Sequence, residues 1–367
     1  MTLNEKKLYV DKCKILIIPD LHLKCTNPVN RKNYPDEILS YIEYILTLVE
    51  QEHIDFVIFL GDIYHDDFKG KMSGTINQKM LGMINHMKSQ GTQVFTLMGN
   101  HEKHHFIKNC LFFHNIDYCS ERIKRDLQAT HIKLPEYPVA TFQTCDRLIL
   151  NDTLCIEMHH FSDEDKGYTT ESNNYKYTIG LFHDAILPSQ ARKHIQALTR
   201  EEVQLENGKT YMQTTDLAQY SKVLYNDEMF ANLDYAVCGD IHTRIGEMDV
   251  QTSTGTVNVD IPGSLGRTSS SIAESHESVE LPLFVFENNT LTKQHLHFKL
   301  WTLEQSYKIS VVQENKQKYA DMKEMKNTLE GVVVRKSFVD DIETFPNYAQ
   351  AILSEVIQNG KYTLKSK

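Results

Sequence analysis

The sequence predicts an α/β fold, and three observations carry that reading. Apolar runs of strand length alternate with amphipathic stretches of helix length between residues 13 and 98. The runs are nearly continuous, as in strands buried on both faces of a parallel sheet. Each ends at a Pro or Gly followed by acidic, histidine or amide residues, and ligands of such sheets gather beyond the carboxyl ends of strands.

Taken in order, residues 13–19 form the first strand. Residues 36–50 place Ile38, Leu39, Ile42, Ile45, Leu46 and Val49 at helical spacing. Residues 55–60 are a second buried strand, 76–89 a helix with Gly91 as terminator, and 94–98 a third strand. This rhythm argues for parallel pairing. Residues 106–180 are less regular, with short alternating runs at 139–142, 147–150 and 153–158 read as strands and a polar loop at 162–174. Residues 177–182 and 235–238 are buried strands, whereas 189–230 read mostly as helix or loop. Alternation through 257–261 and 283–286 predicts a second, more antiparallel sheet. From about residue 305 the character changes. A strand at 307–312, a charged helix at 315–329, a strand at 331–337 and a helix at 348–357 suggest a small appended α+β unit. The expected division is 1–304 and 305–367.

With 41% hydrophobic and 24% charged residues, the 367-residue chain reads as globular. Its apolar runs fall far short of the ~18 residues that span a bilayer. The polar amino terminus has no apolar stretch of the secretory type, so the expected address is cytoplasmic, without membrane contact. The seven cysteines form no CxxC pair and read as reduced, mostly buried thiols. A net charge of −10 argues against nonspecific nucleic-acid binding through a general basic excess. Any DNA contact would need local patches, bound cations or a partner.

The motifs carry the chemistry. Asp20-Leu21-His22 puts a carboxylate and an imidazole two residues apart, on one side of an extended chain. Gly61-Asp62-Ile63-Tyr64-His65-Asp66 and Gly99-Asn100-His101-Glu102 follow the next two strands. His183 ends a fourth, and Gly239-Asp240-Ile241-His242 ends a fifth, again with two groups two apart. Asp20, His22, Asp62, Asn100, His183, Asp240 and His242 form a ligand set for two divalent metal ions, with Asp62 bridging. Oxygen and nitrogen donors without thiolate suit Mn²⁺, Mg²⁺, Fe²⁺ or Zn²⁺. Two ions ~3.5–4 Å apart activate water against phosphorus. His101 is placed as general acid for the leaving oxygen, and His65 to orient the phosphate. His53, His86, His114, His131, His194 and His276 lack such context and read as surface or structural. His104 and His105 follow the GNHE loop and are candidates for substrate contact, but with His159 and His160 they stay unassigned.

In this order the motifs resemble the calcineurin-like metallophosphoesterase superfamily (DxH, GDxx(H/D), GNH(E/D), a histidine, then GHxH) across roughly residues 13–270. Asp240 stands where that pattern has histidine. Charged oxygen in place of nitrogen hardens the site toward Mn²⁺ or Mg²⁺. His65 in GDIYHD and the PGSLGR of residues 262–267 are similar to features of the SbcD-type DNA repair nuclease branch and its phage counterparts. The resemblance implies a two-sheet sandwich flanked by helices, with a small C-terminal α+β cap. It implies one metal among Asp20, His22, Asp62 and His242, a second among Asp62, Asn100, His183 and Asp240, and His101 and His65 acting on the phosphodiester. It further implies a Mn²⁺-dependent DNA exonuclease or endonuclease that dimerises and pairs with an SbcC-type coiled-coil ATPase in recombination or repair. Two alternatives stay open: a phosphatase or phosphodiesterase for small phosphorylated molecules or proteins, and a non-catalytic scaffold that retains the fold.

Overall fold

The computed structural model describes residues 5–65, 71–101, 145–161, 174–184, 186–192, 200–204, 210–214, 224–268 and 276–308. Two sheets face each other. The first has five strands: β2 (Lys12–Ile18), β3 (Phe56–Phe59), β4 (Gln93–Thr96), β15 (Ser278–Glu287) and β16 (Thr290–Lys299), in the order β16-β15-β2-β3-β4. β2, β3 and β4 run parallel, as their rhythm predicts, while β15 pairs antiparallel with β2 and β16.

The second sheet holds β1 (Glu5–Leu8), β5 (Arg147–Leu150), β6 (Leu154–His159), β7 (Tyr177–Phe182), β12 (Tyr235–Cys238), β13 (Gly246–Thr252) and β14 (Gly255–Ile261). Its order is β1-β5-β6-β7-β12-β14-β13, parallel at β6-β7-β12-β14 and antiparallel at β13–β14.

The continuous apolar runs follow from burial on both faces. In β2, Ile15 and Ile17 point into the space between the sheets, beside Ile58, Phe95, Leu148, Ile156, Leu181 and Val237. Leu16 and Ile18 point the other way, under α1 (Tyr34–Glu52) and α2 (Lys71–Ser89). α1 starts with Pro35 in its first turn, where a missing N–H costs nothing, and ends at His53 in the left-handed conformation. It buries Ile38, Tyr41, Ile42, Ile45, Leu48 and Val49 against the sheet. Each large apolar side chain so buried contributes about 1.5–3 kcal/mol. α2 presents Ile76, Met80, Met83, Ile84 and Met87 to the same layer, and Gly91 follows it at positive φ.

Two expectations are corrected. Residues 257–261 and 283–286 do not share an antiparallel sheet: β14 lies beside β12 and β13, β15 beside β2. Alternation reports which faces are covered, not which strand is the neighbour. Within 189–230 the described residues include strands: β9 (Arg200–Gln204) pairs with β10 (Thr210–Thr214), and β8 (Ile186–Leu187) with β11 (Leu224–Tyr225). Their polar sequences, REEVQ and TYMQT in the first pair, carry no strand period. Near 305 the chain forms a short helix, α3 (Leu303–Ser306), capped by Thr302 and Gln305, and Tyr307 bridges to Arg31. The elements expected from 309 onward lie outside the described residues, as do those at 139–142, the 162–173 part of the loop, and His104, His105, His114, His131 and His194.

Candidate metal centre

Four strand ends of the two sheets meet at one edge of the sandwich. β2 delivers Asp20 and His22, β3 delivers Asp62, β7 delivers His183, and β12 delivers Asp240 and His242, all buried. The segment after β4 brings Asn100 and His101 to the rim, partly buried beside His65. Every site residue singled out in the sequence converges here.

The local backbone does this in a way the extended-chain reading missed. His22, Asp62 and Asp240 take positive φ values of 48°, 44° and 64°. His and Asp are among the residues enriched in that region. Side chains two apart therefore meet through a left-handed turn, not through strand alternation. Backbone bonds lock the turns together. The His22 N–H donates to the Asp62 carbonyl at 2.9 Å, and Tyr34 Oη donates to the His22 carbonyl at 2.8 Å. Gly61 sits at φ 107°, and a Cβ there would collide with the His183 ring. Only glycine gives both the turn and the room.

Donor atoms face one another across short gaps. His22 Nε2 and His242 Nε2 are 2.7 Å apart, and Asp62 Oδ2 lies 3.9 Å from His22 Nε2. His183 Nε2 is 3.3 Å from Asp62 Oδ1 and 3.9 Å from Asp240 Oδ1. Its other nitrogen, Nδ1, donates to the Leu60 carbonyl at 2.6 Å, which fixes the tautomer and aims Nε2 inward. Asn100 Nδ2 donates toward Asp240 Oδ1 at 3.4 Å. The Asp240 N–H donates to Asp20 Oδ2 at 2.9 Å, and the His101 N–H to Asp62 Oδ1 at 3.0 Å. Two trios, Asp20–His22–His242 and Asp20–Asp62–His183, each bring three ligand atoms within 4.8 Å of one another.

The electrostatics ask for cations. Three carboxylates share this buried pocket. Burial, partly offset by His183, raises Asp20 to about 6, and Asp240 rises to about 8 as burial and the charges of Asp62 and Asp20 outweigh His183. Burial would raise Asp62 too, but His183 and His101 hold it down. His22 is pushed well below the usual imidazole range by burial and then by His242. Asp20 Oδ1 and Asn100 Oδ1 are buried and accept no hydrogen bond. A buried acceptor without a donor is costly, and divalent ions at these oxygens would satisfy both. The donor set fits two hard or borderline cations.

Three contributors were not singled out from the sequence as parts of the site. Leu60 contributes through its carbonyl. His160, left unassigned, accepts from the Met98 N–H at 3.0 Å and so steadies the approach to Asn100. The PGSLGR segment bonds to both DxH-type turns: Leu265 and Gly266 N–H donate to the Asp20 carbonyl, and Ser264 N–H to the His242 carbonyl.

The calcineurin-like phosphoesterase family matches residues 13–244, well over half of the chain. The chain belongs to that family. No curated protein sequence matches it. Among solved structures, it is similar to a 5'-nucleotidase precursor from Thermus thermophilus at 12% identity and a TM-score of 0.37, covering 89% of this chain and 61% of that one. It is also similar to a dimetal phosphatase from Danio rerio at 10% identity and a TM-score of 0.39, covering 79% of this chain and 99% of that one. The chain thus spans less than two thirds of the nucleotidase. Among the described residues no helix is long and apolar enough to cross a membrane.

Proposed function

We propose that this chain hydrolyses phosphodiester bonds of DNA with two divalent ions, Mn²⁺ foremost, as the nuclease subunit of an SbcCD-type assembly. The supporting observation is the convergence of three buried carboxylates, three imidazoles and an amide, with two further histidines on its open side. Asp20, His22, Asp62 and His242 would hold one ion, and Asp62, Asn100, His183 and Asp240 the other. Bound there, the ions supply Lewis acidity toward the phosphoryl oxygens and activate the attacking water.

The protein's own part is proton handling and orientation. His101 Nδ1 is hydrogen-bonded to the His65 carbonyl, so Nε2, 3.8 Å from Asp62 Oδ2, is the nitrogen left to hand a proton to the leaving oxygen. The His65 and His101 rings stack with centroids 4.8 Å apart, which sets His65 beside the acid where a phosphate oxygen would lie. A second copy of the chain and a coiled-coil ATPase are the proposed partners, the latter providing the basic excess for DNA that a chain of net charge −10 does not have.

That same charge favours a second reading, a phosphatase or phosphodiesterase for small phosphorylated molecules. Incubation with Mn²⁺ and linear duplex DNA, p-nitrophenyl phosphate or bis-p-nitrophenyl phosphate separates the two. Shortened DNA and diester cleavage are expected. Monoester hydrolysis with intact DNA would give the second reading the site instead.

A further inference from the structure

The residues 262–267, Pro-Gly-Ser-Leu-Gly-Arg, run behind both metal-ligand turns. On one side they bond the site from its backbone: Leu265 N–H and Gly266 N–H donate to the Asp20 carbonyl at 2.9 and 3.2 Å, and Ser264 N–H to the His242 carbonyl at 3.2 Å. Gly266 lies so close that a Cβ would overlap the Leu21 carbonyl oxygen. At the other end Arg267 is fully buried. Its Nη2 reaches Glu37 Oε1 at 2.8 Å, the Trp301 carbonyl at 2.7 Å and Ser306 Oγ at 2.7 Å, and its Nη1 donates to the His276 carbonyl at 2.9 Å. Glu37 is held in turn by Arg31 and by Tyr41 Oη at 2.7 Å.

From this geometry we infer that Arg267 is a positioning residue for the Asp20–His22–His242 ion. It anchors a brace between α1, the 301–306 segment and the backbone of that ion's ligands. A guanidinium suits the task because its planar fork bonds several acceptors in fixed directions, which an ammonium cannot do. Small displacements of Asp20 and His242 cost affinity because ligand distances are tolerated only within about 0.2 Å. The inference rests on the metal-centre reading given above.

The test uses the full chain. Mn²⁺ binding is measured by calorimetry and electron paramagnetic resonance for the parent, Arg267→Lys and Ser306→Ala, with thermal unfolding and bis-p-nitrophenyl phosphate turnover alongside. Arg267→Lys should bind one of the two ions at least tenfold more weakly. Its kcat should fall with KM little changed, and saturating Mn²⁺ should restore most of the rate. Ser306→Ala, which removes one bond and stands in should Arg267→Lys not fold, should weaken the same ion about threefold. Parental affinities at both positions with only the unfolding temperature lowered would overturn the inference and leave Arg267 a fold-stabilising residue. A parent chain that binds no ions would instead overturn the metal-centre reading itself.

Discussion

His101 is the residue whose chemistry can be separated from metal holding. Its side chain is partly exposed, and it meets Asp62 twice, through its own N–H at 3.0 Å and through Nε2 at 3.8 Å. The N–H contact belongs to the backbone and survives any substitution but proline. His101→Gln should therefore keep both ions while turnover drops about 10²–10⁴-fold, the usual worth of a positioned general acid. Metal analysis and single-turnover cleavage on the same sample decide it, and loss of an ion would make His101 a ligand. Asp240 is a different matter. It is buried, lies 3.9 Å from His183 Nε2, and offers a carboxylate oxygen where the family pattern has an imidazole nitrogen. That oxygen adds a third carboxylate to the pocket and biases it toward hard cations. The sequence made the identities legible because each ligand follows an apolar run. It hid the left-handed turns at His22, Asp62 and Asp240, since no residue type is diagnostic of positive φ except glycine.

Among elements, the contact between the two sheets shows how charge holds the sandwich shut beyond its apolar filling. Asp260 on β14 receives Lys293 Nζ at 2.9 Å and His295 Nε2 at 2.7 Å from β16 on the other sheet, and Lys293 also reaches Glu247 on β13 at 2.7 Å. The hydrogen bond to Asp260 raises His295 above the usual imidazole value despite burial. Burial would raise Asp260, but His295 and Lys293 outweigh it and lower it. A raised imidazole contributes stability that is complete below its ordinary value of 6.5 and is lost as pH climbs through the folded-state value. The lowered carboxylate contributes above its ordinary 3.8 and fails as pH falls through its own folded-state value. Parent and His295→Gln should thus differ by roughly 0.5 kcal/mol in urea unfolding at pH 6 and converge by pH 9. A gap that widens with pH would mean that the pair does not form. None of this clamp was legible from β-period alone. Alternation marked 257–261 and 283–286 as strands, but cross-sheet partners are set by the order β16-β15-β2, which depends on long-range pairing.

For the molecule as a whole, folding sets three buried carboxylates side by side, and the cations that would balance them come from solution. His183 supplies part of the balance, lifted well above its usual range because Asp62 and Asp20 overcome the effect of its burial. The parallel core of β2, β3 and β4 was legible because burial on both faces writes itself as an unbroken apolar run. The buried Glu37–Arg31–Arg267 cluster was not, since polar residues at core positions carry no period. Anything that binds the folded site and not the unfolded chain stabilises by mass action. Mn²⁺ at a hundredfold excess over its dissociation constant should add about 2.7 kcal/mol per ion, on the order of 5 °C in unfolding temperature for a chain of this size. Chelation should remove that gain. Asp62→Asn, which takes the charge from the oxygen pair between the two groups of donors, should show little of it in the first place. Calorimetric scans with Mn²⁺ and with EDTA read the difference directly. A parent whose unfolding temperature is indifferent to both would mean the carboxylates are kept apart by protons, and the pocket would then be an acidic cavity with no ions to offer phosphorus.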